Sequence, residues 1–146
     1  MLIETLSVFP ELFEPYMSTS IMGRARARGL FDFKSYDLRD WTHDRHRTVD
    51  DAPFGGGAGM LMKVEPLHDA ITDISSRGDV RPCVVFFTPC GVPFTQHVAE
   101  RLSSVERILF VCGRYEAWTS VLTPWPMSVF RLAITSLRAA SFPRLW

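Results

Sequence analysis

From Ala117 to Trp146 the chain contains no glycine, aspartate, glutamate or lysine. All 16 acidic residues therefore lie between Met1 and Glu116 beside 13 basic ones, while the tail carries only Arg131, Arg138 and Arg144. The formal charge of zero thus joins a slightly acidic body to a basic tail. Such a body does not capture nucleic acid by bulk charge, which leaves a local basic cluster for that purpose. Cysteine is scarce: Cys83, Cys90 and Cys112 are odd in number and lack CxxC spacing, so reduced thiols in a cytoplasmic protein are expected. No run of 18 or more apolar residues occurs and no charged-then-apolar leader opens the chain, so neither a membrane span nor secretion is expected. No Gly-Lys-Ser/Thr follows the glycine cluster at 55–59, which argues against the phosphate loop of nucleotide hydrolases. What is present is a 47% apolar chain of 146 residues, enough for one α/β domain that buries about two-thirds of its unfolded surface.

Strand and helix signals alternate through the body. Leu2 to Phe9 is rich in strand formers and is stopped by Pro10, a residue suited to the first turn of a helix. Phe13, Met17, Ile21 and Ala25 recur at helical spacing as a core-facing stripe, with Pro15 placed to kink or split the helix and Gly29 to stop it. Phe31, Phe33 and Tyr36 predict a second strand before Asp37. Leu61 to Val64 reads as a short strand and Glu65 to Ile74 as a helix, in which His68 belongs to surface or core rather than to chemistry. Cys83 to Phe87 is a continuous apolar run, as expected of a parallel strand buried on both faces. It empties into a predicted turn, Thr88-Pro89-Cys90-Gly91, at the strand's carboxyl end, where open α/β sheets bind ligands. A short helix from Gln96 to Leu102 and a strand from Arg107 to Cys112 bring the chain to Gly113, a second glycine bend predicted to lie beside the first.

Between Leu38 and Met60 the periodicity lapses, and a loop of that length in a compact domain is functional or simply solvated. Its first half interleaves Arg45, His46 and Arg47 with Asp44, Asp50 and Asp51, a mixture able to hold phosphates while positioning a base edge. His43 and His46 imitate a metal-ligand spacing, but no third ligand completes a set and the bordering arginines repel a cation, so no metal is expected. Gly55, Gly56, Gly57 and Gly59 let backbone approach a ligand closely. A phosphate-cradling nucleotide module is the competing class, and protection of this loop by nucleotides would mark it.

Four motifs carry a resemblance that covers Met1 to Glu116: Ser7-Val8-Phe9-Pro10, Thr42-His43-Asp44-Arg45-His46-Arg47-Thr48-Val49-Asp50-Asp51, Gly55-Gly56-Gly57-Ala58-Gly59-Met60 and Val111-Cys112-Gly113-Arg114-Tyr115-Glu116. Together they resemble the amino-terminal part of bacterial tRNA (guanine-N1)-methyltransferases, of the knotted SPOUT class. The resemblance implies an α/β parallel-sheet sandwich of the trefoil-knotted type, a homodimer, and transfer of a methyl group from S-adenosylmethionine to N1 of guanosine 37 beside the anticodon of tRNA. By that likeness Thr88, Pro89, Gly91, Gly113, Tyr115 and Glu116 line the cofactor pocket. Arg45, His46, Arg47, Asp50, Gly59 and Arg114 face the tRNA.

The likeness stops at Glu116. There the family continues with a motif such as GMDER and later SIGDYVLxGGELPA, whereas this chain reads Ala117-Trp118-Thr119-Ser120-Val121. GMDER encoded as GGC ATG GAC GAG CGT, with its first base lost, becomes GCA TGG ACG AGC GTN, which spells Ala-Trp-Thr-Ser-Val. Leu132 to Trp146 can likewise be encoded so that the frame one base back reads LGDYVLAGGELPALV. Residues 117–146 are therefore expected to be an out-of-frame tail, disordered or misfolded, with the knot incomplete and the carboxyl-terminal helical domain absent. The aspartate base and arginine that the family uses lie beyond the knot, so no catalytic residue is assigned. Asp50 and Glu116 are the carboxylates nearest the expected site, and each is better read as a binding or structural residue. A tRNA-binding or dimer-forming fragment without catalysis is the remaining alternative.

Overall fold

The computed structural model describes residues 1–52, 59–113 and 127–131, with 88–90 and 127–131 described by backbone alone. Strand β1 (Leu2–Ser7) leads through a 3-10 turn (Pro10–Leu12) into helices α1 (Phe13–Met17) and α2 (Ser20–Ala27). Strand β2 (Asp32–Asp37), a second 3-10 turn (Leu38–Trp41) and the short strands β3 (Asp50–Asp51) and β4 (Leu61–Met62) follow. Then come helix α3 (Val64–Ser76), β5 (Cys83–Pro93), α4 (Gln96–Ser103), β6 (Arg107–Cys112) and β7 (Met127–Arg131). Among the described residues the main sheet runs β2-β1-β6-β5-β7, and each of its pairings is parallel. Strands β3 and β4 form a separate antiparallel pair.

A parallel sheet needs cover on both faces, and the side-chain alternation of each central strand supplies it. Leu6, Val8, Val84, Phe86, Leu109 and Val111 point to one face, where they meet Leu67, Ala70, Ile71 and Ile74 of α3. Ile3 and Phe33 point to the other, against Phe13, Met17, Met22 and Ala25. Val85 and Ile108 share that second face with Leu102 of α4. The expected α/β class with a doubly covered parallel sheet is therefore what forms.

Two elements differ from the sequence reading. The first helix is split, as Pro15 suggested, but the break falls later, at Ser18–Thr19, because a proline in the first turn of α1 removes an N–H that had no partner anyway. The Ser18 and Thr19 hydroxyls donate to the Pro15 carbonyl at 3.2 and 3.0 Å. The break shifts the phase of α2, so that Met22 packs inward and Ile21, expected in the core, is 70% exposed. Gly23 sits against the break: a Cβ there would collide with the Ser18 carbonyl.

The second difference is at 88–91. The expected turn after Phe87 is instead an excursion inside β5, which continues to Pro93. Phe87 and Val92 both pair with Phe130 of β7, so the four residues between them drop out of the ladder. The strand that recaptures the chain after the excursion is β7, which lies inside the stretch expected to be disordered or misfolded and here pairs in the sheet; local sequence carries no mark of that partner.

Candidate functional site at the carboxyl edge of the sheet

Parallel strands end together, and here their ends collect the residues singled out by sequence. In register, Ser7 lies beside Asp37 on one side and Cys112 on the other, while Phe86 lies beside Val111. Gly113, which is exposed, and the 88–91 excursion with Gly91 therefore leave adjacent strands at the same edge. Thr88 and Pro89 are described by backbone alone, and Arg114, Tyr115 and Glu116 lie outside the described residues, as does most of the glycine cluster. The Cys112 thiol next to Gly113 is pushed up to about 11 by burial, so it is protonated at neutral pH and has little nucleophilic character. Cys83 and Cys112 are both free.

The basic loop is anchored at this edge too. Asp37, the last residue of β2, caps the following 3-10 turn by accepting from the Arg39 N–H at 3.0 Å. Arg39 Nη1 donates to the Val8 carbonyl just past β1 at 2.5 Å, with its guanidinium 5.8 Å from the Phe9 ring centroid. Farther along, Asp44 closes a turn by accepting from the Thr48 N–H and hydroxyl at 2.9 and 2.7 Å. The Thr48 hydroxyl, before any other cause, holds the Asp44 carboxyl below its usual range.

The residues expected to face tRNA fall into two groups. Arg45 and His46 are exposed and make no hydrogen bond to the described residues. Arg47 is folded back on the protein: its Nη2 lies 2.5 Å from Asp40 Oδ1 and its Nε 3.3 Å from the Arg39 carbonyl. Asp50 sits in β3 opposite Met62, and Gly59 takes a φ of 113°, a conformation that favours glycine. His43 does not pair with His46. Its Nε2 is 3.2 Å from Asp69 Oδ2, and the other Asp69 oxygen is 3.2 Å from His68 Nδ1. Among the described residues, no three His, Cys, Asp or Glu side chains gather as a metal set.

Sequence reading passed over the groups that hold this edge up from behind. Trp41 Nε1 donates to Asp73 Oδ2 of α3 at 2.9 Å, and Arg77 lies over both Tyr36 and Trp41, 5.5 and 5.7 Å from their ring centroids. Burial, then the bond from its hydroxyl to Glu4 at 2.9 Å, raises Tyr36 above the ordinary tyrosine value. An aromatic at the end of a 3-10 turn gives no hint of a partner thirty residues away, so no local signal was there to find.

Residues 1–123 match the family described as tRNA (Guanine-1)-methyltransferase TrmD, a match that runs slightly past Glu116. The tRNA (guanine-N(1)-)-methyltransferase of Cutibacterium acnes is 50% identical over 117 residues, covering 80% of this chain and 48% of that protein. That of Thermobifida fusca is 47% identical over 117 residues, covering 80% and 44%. The crystal structure of tRNA (m1G37) methyltransferase from Aquifex aeolicus is similar with a TM-score of 0.72 at 32% identity, over 80% of this chain and 52% of that one. The chain spans about half the length of the relatives it matches. Motifs and these likenesses agree over the same residues, and the chain belongs to the tRNA (Guanine-1)-methyltransferase family.

Proposed function

We propose that this chain carries half of a site for moving a methyl group from S-adenosylmethionine to N1 of guanosine 37 in tRNA. The observation that carries the reading is the meeting, at one sheet edge, of the end of β6 at Gly113, the neighbouring 88–91 excursion of β5 with Gly91, and a loop presenting exposed basic side chains. S-adenosylmethionine supplies an electrophilic methyl on a sulfonium that is already a good leaving group. The edge fits such a group: Gly113 and Gly91 have no side chains to fill the space, and the excursion at 88–91 frees backbone groups from the β7 ladder. Thr88, Pro89, Tyr115 and Glu116 complete the pocket in this reading, with Arg114 on the tRNA side. Arg45 and His46 meet the RNA with charge and hydrogen bonds, which orients the acceptor base.

Guanine N1 carries a proton at neutral pH, so transfer requires a base to take it and a cation to steady the charge growing on O6. Neither is assigned within the described residues. In the reading offered here both belong to sequence that the out-of-frame tail replaces, so the 146-residue form is defective in transfer. The whole enzyme acts in the cytoplasm as a homodimer. Calorimetry with S-adenosylmethionine should show weak binding or none, and a methyl-transfer assay with unmodified tRNA should show no product. Micromolar cofactor binding or methylated tRNA from the purified chain overturns the defect. Coding DNA that no single added base restores to the family motif overturns its cause.

The exposed Arg45 and His46 favour one alternative, a tRNA-binding or dimer-forming fragment without catalysis. A gel shift with tRNA alongside the transfer assay separates the two.

A further inference from the structure

Arg45, His46 and Arg47 stand together in sequence as one basic cluster, but their surroundings differ. Arg47 has a left-handed backbone, φ 53°, a conformation that is costly for a non-glycine residue. In that conformation its side chain, 51% exposed, lies against the 3-10 turn that follows β2. There the guanidinium reaches Asp40 Oδ1, the Arg39 carbonyl and, at 3.8 Å, Asp37 Oδ2. Asp37 is also 3.6 Å from Arg39 Nη1. Two carboxylates thus balance two guanidiniums, and the quartet offers a phosphate little net attraction. The turn itself closes by the Arg47 N–H donating to the Asp44 carbonyl at 3.1 Å.

We propose that Arg47 is a positioning residue, a staple that fixes the loop to the carboxyl ends of β1 and β2 so that Arg45 and His46 are presented to RNA. It is not itself a phosphate contact. This rests on the tRNA reading given above, and the experiment separates the failure of one from the failure of the other.

The first measurement needs no RNA. Amide hydrogen exchange of the full chain should accelerate about three- to tenfold at the Arg47 and Thr48 amides in Arg47→Ala, and remain unchanged there in Arg45→Ala. Amides of Leu6 and Leu109 report whether the fold survives. Arg47→Lys, which keeps the charge but cannot bridge three acceptors, should also accelerate loop exchange and serves if the alanine variant fails to fold. Loop exchange unchanged in Arg47→Lys overturns the staple outright.

The second measurement is binding of an unmodified tRNA transcript over a range of salt. A lost phosphate contact reduces the slope of log affinity against log salt by about 0.7 to 0.9. Arg45→Ala should show that reduction, whereas Arg47→Ala should bind several-fold more weakly with the slope kept. A reduced slope in Arg47→Ala overturns the proposal. If the wild-type chain binds no tRNA, the tRNA reading fails for this form, and the exchange measurement alone decides whether Arg47 is a staple.

Discussion

A guanidinium in a protein interior is tolerated only when its N–H groups all find acceptors, and Arg107 meets that condition. Its Nε and Nη2 bond to the Glu4 carboxylate at 2.7 and 3.2 Å, and its remaining hydrogens go to the carbonyls of Ile74, Arg77 and Val80. Both side chains of the pair are nearly fully buried, at 6% and 1% exposure. Removing one partner leaves the other charged and unpaired, so Glu4→Gln should lower stability by about 3 kcal/mol, read from the urea midpoint. A loss under about 1 kcal/mol would mean that water reaches the pair. Asp73 is the acid-sensitive counterpart. The bond from Arg77, first, and that from Trp41, second, hold its carboxyl below the usual range. A carboxyl that is more acidic folded than unfolded contributes fully above its unfolded value of about 3.9 and loses that contribution as pH falls through the folded value. Asp73→Asn should therefore flatten the fall of Tm with pH below about 4. The effect should be small, because Asp73 is 44% exposed and solvent screens it. An unchanged curve would remove Asp73 from the account.

Among the elements, α3 does the most to hold the site in place. Its inward residues Leu67, Ala70, Ile71 and Ile74 cover one sheet face, while Asp73, near its end, holds Trp41 and with it the start of the basic loop. Ile71 is fully buried. Ile71→Ala leaves a cavity under the central strands and should cost about 2–5 kcal/mol in denaturant unfolding. The helix was legible from Glu65 to Ile74 because its apolar spacing is regular. The α1–α2 junction was less so: spacing alone continued the stripe through Ile21, whereas the hydroxyl bonds to the Pro15 carbonyl reset the phase and brought Met22 inward. A period can be read from side chains only as far as the backbone stays regular.

For the whole molecule, β6 is the strand that joins the early and late parts of the chain. It lies between β1 and β5, and its first residue meets Glu4 across 103 positions of sequence. A chain lacking Arg107–Cys112 would leave Ile3, Leu6, Val84 and Phe86 without their central neighbour. Such a chain should lose its cooperative unfolding transition in circular dichroism. A sharp transition in it would show that β1, β2 and α3 fold as a separate unit. No helix among the described residues is long and apolar enough to cross a membrane.

Sequence by itself determined the α/β class, most strands and helices of the body, the family, and the placing of Gly91 and Gly113 on neighbouring strands. Each of these is written in local periodicity or in motifs that do not depend on distant partners. Tertiary structure alone decided that Arg47 is held by Asp40 at the surface while Arg45 and His46 stand exposed, that Trp41 is held by Asp73, and that residues 88–91 form an excursion within β5 rather than a terminal turn. The physical reason is the same in each case. A charged or aromatic side chain, or a strand edge, can be satisfied by several partners, and which one it finds is fixed only when residues tens of positions apart are packed together.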